Sequence, residues 1–136
     1  MIVRLPWKIR KLSKAIPTTV AIVFFLSAIL KLLALGFLCA GPNPWEGANM
    51  GMLPLEIAVA VMLGRPPLRE FGALLGAATM AGAAALLTWA HWTGRDVRGC
   101  GCFGPIEMSY GVHMAVIGVL FVLCLLTMSG AEEAPA

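Results

Sequence analysis

Apolar residues along this chain gather in four long runs, separated by polar or glycine- and proline-rich breaks. A helix needs about 20 apolar residues to cross the hydrocarbon of a bilayer. The first run, Pro17 to Ala40, is interrupted only by Lys31, and Pro17 suits a first helical turn. Gly41-Pro42-Asn43-Pro44 then breaks the chain. The second run, Asn49 to Gly64, is shorter and stops at Arg65-Pro66-Pro67. The third is Phe71 to Trp92 and the fourth Tyr110 to Met128, with the polar, glycine-rich stretch Thr93 to Glu107 between them. The pattern predicts an all-α fold, an integral membrane four-helix bundle with helices at about 17–40, 49–64, 71–92 and 110–128. It forms a single domain over 1–136, with a basic segment 1–16 and a disordered tail 131–136.

Composition agrees with a place in lipid. Of the 136 residues 60% are hydrophobic and 12% charged, too little charge for a soluble domain of this length, and the mean hydropathy is +0.87. The run from Ile16 to Ala40 exceeds the roughly 7–15 apolar residues of a signal peptide, so it reads as a span despite the basic residues before it. Arg4, Lys8, Arg10, Lys11 and Lys14 suit an anionic inner leaflet and give no case for a nucleic acid. Arg65 and Arg69 fall between spans two and three, so four spans put seven basic residues inside. Only Arg95 and Arg98 lie outside. Both termini are therefore expected in the cytoplasm, in a multi-pass protein of the bacterial inner membrane. Trp45, Trp89, Trp92 and Tyr110 then form an aromatic belt at the outer face. Gly72 and Gly76, followed by a run of alanines, predict close helix packing inside the bundle.

The outer loop carries the most specific chemistry. Cys100 and Cys102 stand one residue apart in Cys100-Gly101-Cys102-Phe103-Gly104-Pro105. They can close a small strained disulfide ring, and strain makes a disulfide more oxidising. Gly101 and Gly104 permit the backbone angles of such a ring. Arg95 and Arg98 are near in sequence, and positive charge favours the reactive thiolate. A dithiol exchanging with other proteins, a static staple of the loop and a site for a soft metal are the three readings. Cys39 ends the first span at the same face, either to resolve a mixed disulfide or as a buried apolar cysteine. Cys124 lies about 21 Å down the fourth span by helix rise and reads as packing.

Two ionisable residues fall inside spans, where an isolated charge is costly. Lys31 lies about 12 Å below the outer end of span one by helix rise. Glu56 lies about seven positions into the antiparallel span two, at matching depth. The depths predict a Lys31–Glu56 pair, against two charges that snorkel independently. Pro54, just before Glu56, frees a backbone carbonyl one turn earlier. His91 and His113 stand near the outer ends of spans three and four, as proton shuttles beside the cysteines or as interfacial residues.

Three strings carry a family resemblance: Phe25-Leu26-Ser27-Ala28-Ile29-Leu30-Lys31, Leu53-Pro54-Leu55-Glu56 and Cys100-Gly101-Cys102-Phe103-Gly104. Together they resemble the MauE family of DoxX-like membrane proteins, over roughly Val20 to Leu126. The resemblance implies a four-helix membrane bundle and a redox role for Cys100 and Cys102. It further implies a thioredoxin-like partner and a secreted client with disulfides, methylamine dehydrogenase being the family's example. Cys39 falls outside the family pattern.

The leading expectation is a membrane thiol–disulfide redox protein, an oxidoreductase or electron relay, in methylamine metabolism or a related process. Its partners are a thioredoxin-like protein, the secreted client and the lipid bilayer. No cofactor is indicated by a motif, and no residue set marks a resident metal. A quinone between the helices enters only by analogy with other membrane disulfide-forming enzymes. The alternatives are a carrier or sensor of a thiophilic metal, with Met50, Met52, Met62, Met80, Met108 and Met114 as further soft ligands, and a passive assembly subunit of a membrane complex.

Overall fold

The computed structural model describes the backbone of residues 7–37, 46–97 and 107–129, and the side chains of 15–33, 50–97 and 107–129. The described residues form four α-helices: α1 (Trp7–Phe37), α2 (Glu46–Gly64), α3 (Arg69–Trp92) and α4 (Tyr110–Ser129). A single 3-10 turn, Pro66–Leu68, joins α2 to α3. Its two prolines fix φ for a tight turn and withhold the N–H groups that would extend α2. Each helix runs antiparallel to the one before, and α1 packs on α4 to close the ring.

Among the described residues, three helices are long and apolar enough to cross a membrane: Ala15–Leu33 of α1, Pro66–Trp92 with α3, and Tyr110–Ser129 of α4. The apolar part of α2, Met50–Gly64, is shorter, so three of the four expected spans have the length and composition to cross and the second, expected short, does not. The whole of α2 has 19 residues, about 28 Å by helix rise, which nearly matches a hydrocarbon core of about 30 Å. Its first turns are interrupted by small and polar residues, Gly47, Asn49 and Gly51.

The start of α1 also departs from expectation. The helix begins at Trp7, ten positions before Pro17, which is buried in its interior. Proline removes one N–H and so costs the helix one bond, that to Ser13. Trp7 to Lys14 is rich in Lys, Arg and Leu, strong helix formers, and the helix continues through the gap. At α2 the helix includes Glu46, three residues ahead of the expected Asn49.

The buried faces follow the helical period. On α4 they are His113, Ile117, Leu120, Cys124 and Thr127. On α3 they include Gly72, Gly76, Met80, Ala83, Leu87 and Ala90. The expectation that the small residues of α3 serve packing inside the bundle holds for one face only. Ala78, Ala81, Gly82 and Ala85 point outward.

Gly72 and Gly76 mark the two closest approaches. A Cβ on Gly72 would stand 2.9 Å from the Leu63 backbone nitrogen and 2.9 Å from Met62 Cβ, so α3 presses directly on the end of α2. A Cβ on Gly76 would stand 2.9 Å from Cys124 Sγ, 3.2 Å from Val59 Cγ1 and 3.7 Å from Phe24 Cζ. All four helices therefore meet at Gly76, and Cys124 is a packing residue there.

Candidate functional site

The bundle presents two places of chemical interest, a charged pair in its interior and the mouth formed where α3 ends and α4 begins.

In the interior, Lys31 of α1 and Glu56 of α2 are 2% and 3% exposed and form an ion pair through Lys31 Nζ and Glu56 Oε1. The antiparallel approach of α1 and α2 brings the two together across 25 residues of chain. Ser27, one turn before Lys31 on the same face of α1, donates to the same Oε1 at 3.3 Å. Glu56 Oε2 is buried and has no hydrogen-bond partner among the described residues. Ser27 was missed from sequence, although its spacing of four from Lys31 was the available signal. The arrangement compensates two charges that would each be costly alone at this depth.

At the mouth, α3 closes with Gly94 at a φ of +72°. Gly94 N–H donates to the His91 carbonyl at 3.2 Å, and Arg95 N–H to the Ala90 carbonyl at 3.0 Å. This is a Schellman ending, in which the left-handed position calls for glycine. The Arg95 guanidinium then lies over Trp89, 4.9 Å from the ring centroid, a cation–π contact at the exposed end of α3. Val97 is buried against the bundle core. On the other side of the loop, Tyr110 stacks on His91 with ring centroids 4.2 Å apart and an interplanar angle of 7°. The Tyr110 hydroxyl also shares a hydrogen bond of 3.3 Å with Thr88 Oγ. Val97 and Tyr110 are thus both fixed in the bundle.

The two histidines part company. His91 is exposed and stacked on Tyr110. His113 is 1% exposed, so its reading as an interfacial residue is corrected. It shares the inward stripe of α4 with Ile117 and Leu120, a period visible in the sequence but obscured by its nearness to the helix start.

Cys39, Cys100, Gly101, Cys102, Phe103, Gly104 and Arg98 lie outside the described residues. Among the described residues no three His, Cys, Asp or Glu side chains are grouped to hold a metal ion.

The family model described as "Methylamine utilisation protein MauE" matches residues 9–130. Searches of curated proteins and of solved structures returned no match. The matched stretch runs from the basic start of α1 past the end of α4, and takes in both the buried pair and the cysteine segment. This chain is a membrane protein and belongs to the MauE family.

Proposed function

We propose that the protein is a thiol–disulfide redox protein that exchanges electrons through Cys100 and Cys102 with a thioredoxin-like partner outside the cytoplasm. Its end product is a disulfide in a secreted client such as methylamine dehydrogenase. The supporting observation is the position of Cys100-Gly101-Cys102-Phe103-Gly104 on a short segment between Val97, buried in the bundle end, and Tyr110, stacked on His91. A loop that follows one fixed residue and precedes another is a suitable place for two thiols that meet a soluble partner. In the oxidising direction, the disulfide of Cys100 and Cys102 accepts two electrons and two protons from the partner's dithiol, whose own disulfide forms. The pair is then reoxidised by an acceptor, for which a bilayer quinone is the fitting chemical class.

The exchange proceeds through a mixed disulfide, so one cysteine attacks the partner and the other resolves the complex. Cys39, at the end of the first apolar run, is a candidate third participant. Replacing the resolving cysteine by serine traps a covalent complex with a thioredoxin-like protein in cells. Replacing either one stops maturation of the client. Normal maturation in both Cys100→Ser and Cys102→Ser, with no trapped partner, overturns the proposal. A stoichiometric metal lost from both variants would install the metal-carrier reading in its place.

The proposal also places the bundle in the inner membrane with both termini in the cytoplasm and α2 crossing the bilayer with the other three helices. A reporter active only in the periplasm stays silent when fused after Ala136 and becomes active when inserted at Gly99. The opposite pattern would put the cysteines in a reducing compartment, and the redox proposal would fall with it.

A further inference from the structure

The centre of the bundle encloses a cavity to which all four helices contribute. Ser27 of α1, Glu56 of α2, Met80 and Ala83 of α3, and Ile117 and Leu120 of α4 line it. Its empty space is about 330 Å³, counting the part that opens to the outside, and the part a water can enter has room for about one molecule. The polar groups in the lining are Glu56 and Ser27. Glu56 uses Oε1 for both Lys31 and Ser27, which leaves Oε2 buried without a donor.

We propose that this cavity is a binding site for one neutral O–H group, which donates to Glu56 Oε2 and sits beside the Ser27 hydroxyl. Elimination leads there. A carboxylate oxygen held in a dry interior without a donor forfeits its hydration, so the site calls for a donor. A metal cation finds, besides the carboxylate, only the Ser27 hydroxyl in the lining and meets the Lys31 ammonium across the carboxylate. An anion is repelled by Glu56. A ring-sized molecule does not fit without the helices parting, because only about one water's room is present. A small hydroxyl fits in size, and a wall that is apolar except at Glu56 and Ser27 suits a neutral group with a single donor. The O–H belongs either to a water or to the hydroxyl head of a molecule dissolved in the bilayer, whose apolar body would follow the opening.

The test uses the full chain purified into lipid nanodiscs. The infrared difference spectrum between ordinary and heavy-oxygen water reports a bound water as an isotope-sensitive O–H band. Exhaustive delipidation followed by organic extraction and mass spectrometry reports a hydroxyl-bearing guest at one per protein. One of the two signals is expected, and Ala83→Leu, which fills the cavity from α3 without touching the ion pair, removes it. The double variant Lys31→Met/Glu56→Leu removes the acceptor without filling the space, and it also loses the signal. It serves in its own right if Ala83→Leu does not fold. Absence of both signals in the unaltered protein overturns the proposal, and so does a signal that persists in the double variant. No cysteine takes part, so the result is independent of the redox reading.

Discussion

Lys31→Met alone is expected to destabilise the folded protein in detergent by about 3–5 kcal/mol, and Glu56→Leu by a similar amount, while the two together recover most of the loss. Each single change leaves one charge stranded in the interior, where its former partner was 2% or 3% exposed. The double change leaves none and puts two apolar side chains in their place. A pair of this kind is often replaced by apolar residues with little cost, because burying the charges consumed most of what their attraction returned. The two single variants differ in degree. Lysine has a long flexible stem that can carry its charge toward water, whereas glutamate has little reach. Lys31→Met, which strands Glu56, is therefore the worse of the two. Denaturant unfolding in mixed micelles measures all four proteins of the cycle. Strict additivity of the single losses in the double variant would mean that the two residues do not act as a pair.

Gly72→Ala is expected to cost about 1–3 kcal/mol with no second-site cure among its neighbours, whereas Gly76→Ala is curable by Cys124→Ala. The distinction comes from what each new methyl meets. At Gly72 it meets the Leu63 backbone nitrogen and Met62 Cβ, both at 2.9 Å, and neither can be moved by shortening a side chain. The helices must separate at the α2–α3 corner. At Gly76 the nearest atom is Cys124 Sγ at 2.9 Å, and Cys124→Ala deletes that atom. Gly82 is the control, since a methyl there meets nothing within 4 Å. Gly82→Ala should leave stability unchanged or raise it by up to about 1 kcal/mol, the gain in helix propensity. The same micelle unfolding assay reads all of these. A loss in Gly76→Ala/Cys124→Ala as large as in Gly76→Ala would show that Val59, at 3.2 Å, is the real obstacle.

Depth along a helix is a one-dimensional quantity, and for that reason the pairing of Lys31 with Glu56 was legible in the sequence. Counting residues from two neighbouring ends sufficed once the helices were taken as antiparallel. Rotation about the helix axis is harder to read in a chain that is apolar on every side. The alanines and glycines of α3 surround the helix, so sequence alone did not separate the inward Gly72 and Gly76 from the outward Ala78, Ala81, Gly82 and Ala85. His113 suffered from the same ambiguity, since proximity to a helix start suggested an interfacial place and the period of α4 put it inside. Pro17 misled in another way. Proline is welcome at a first turn, but a strongly helical basic segment before it carried α1 back to Trp7. The chemistry of Cys100 and Cys102 was read from their spacing, the flanking glycines, the nearby arginines and the family resemblance, while the buried Val97 and the His91–Tyr110 stack became visible only in three dimensions.

The interior ion pair also bears on how the chain enters the membrane. Lys31 and Glu56 are separated by only 25 residues, and they lie on two consecutive helices made ahead of α3 and α4. A lysine at the middle of a lone inserting segment costs roughly 2.5–3.5 kcal/mol at the translocon. That penalty is lifted as soon as α2 follows α1, before any of α3 or α4 has been made. Helices α1 and α2 are thus suited to enter as one hairpin whose charges are already matched, and α3 and α4 can assemble against a template that no longer carries a net charge in its core.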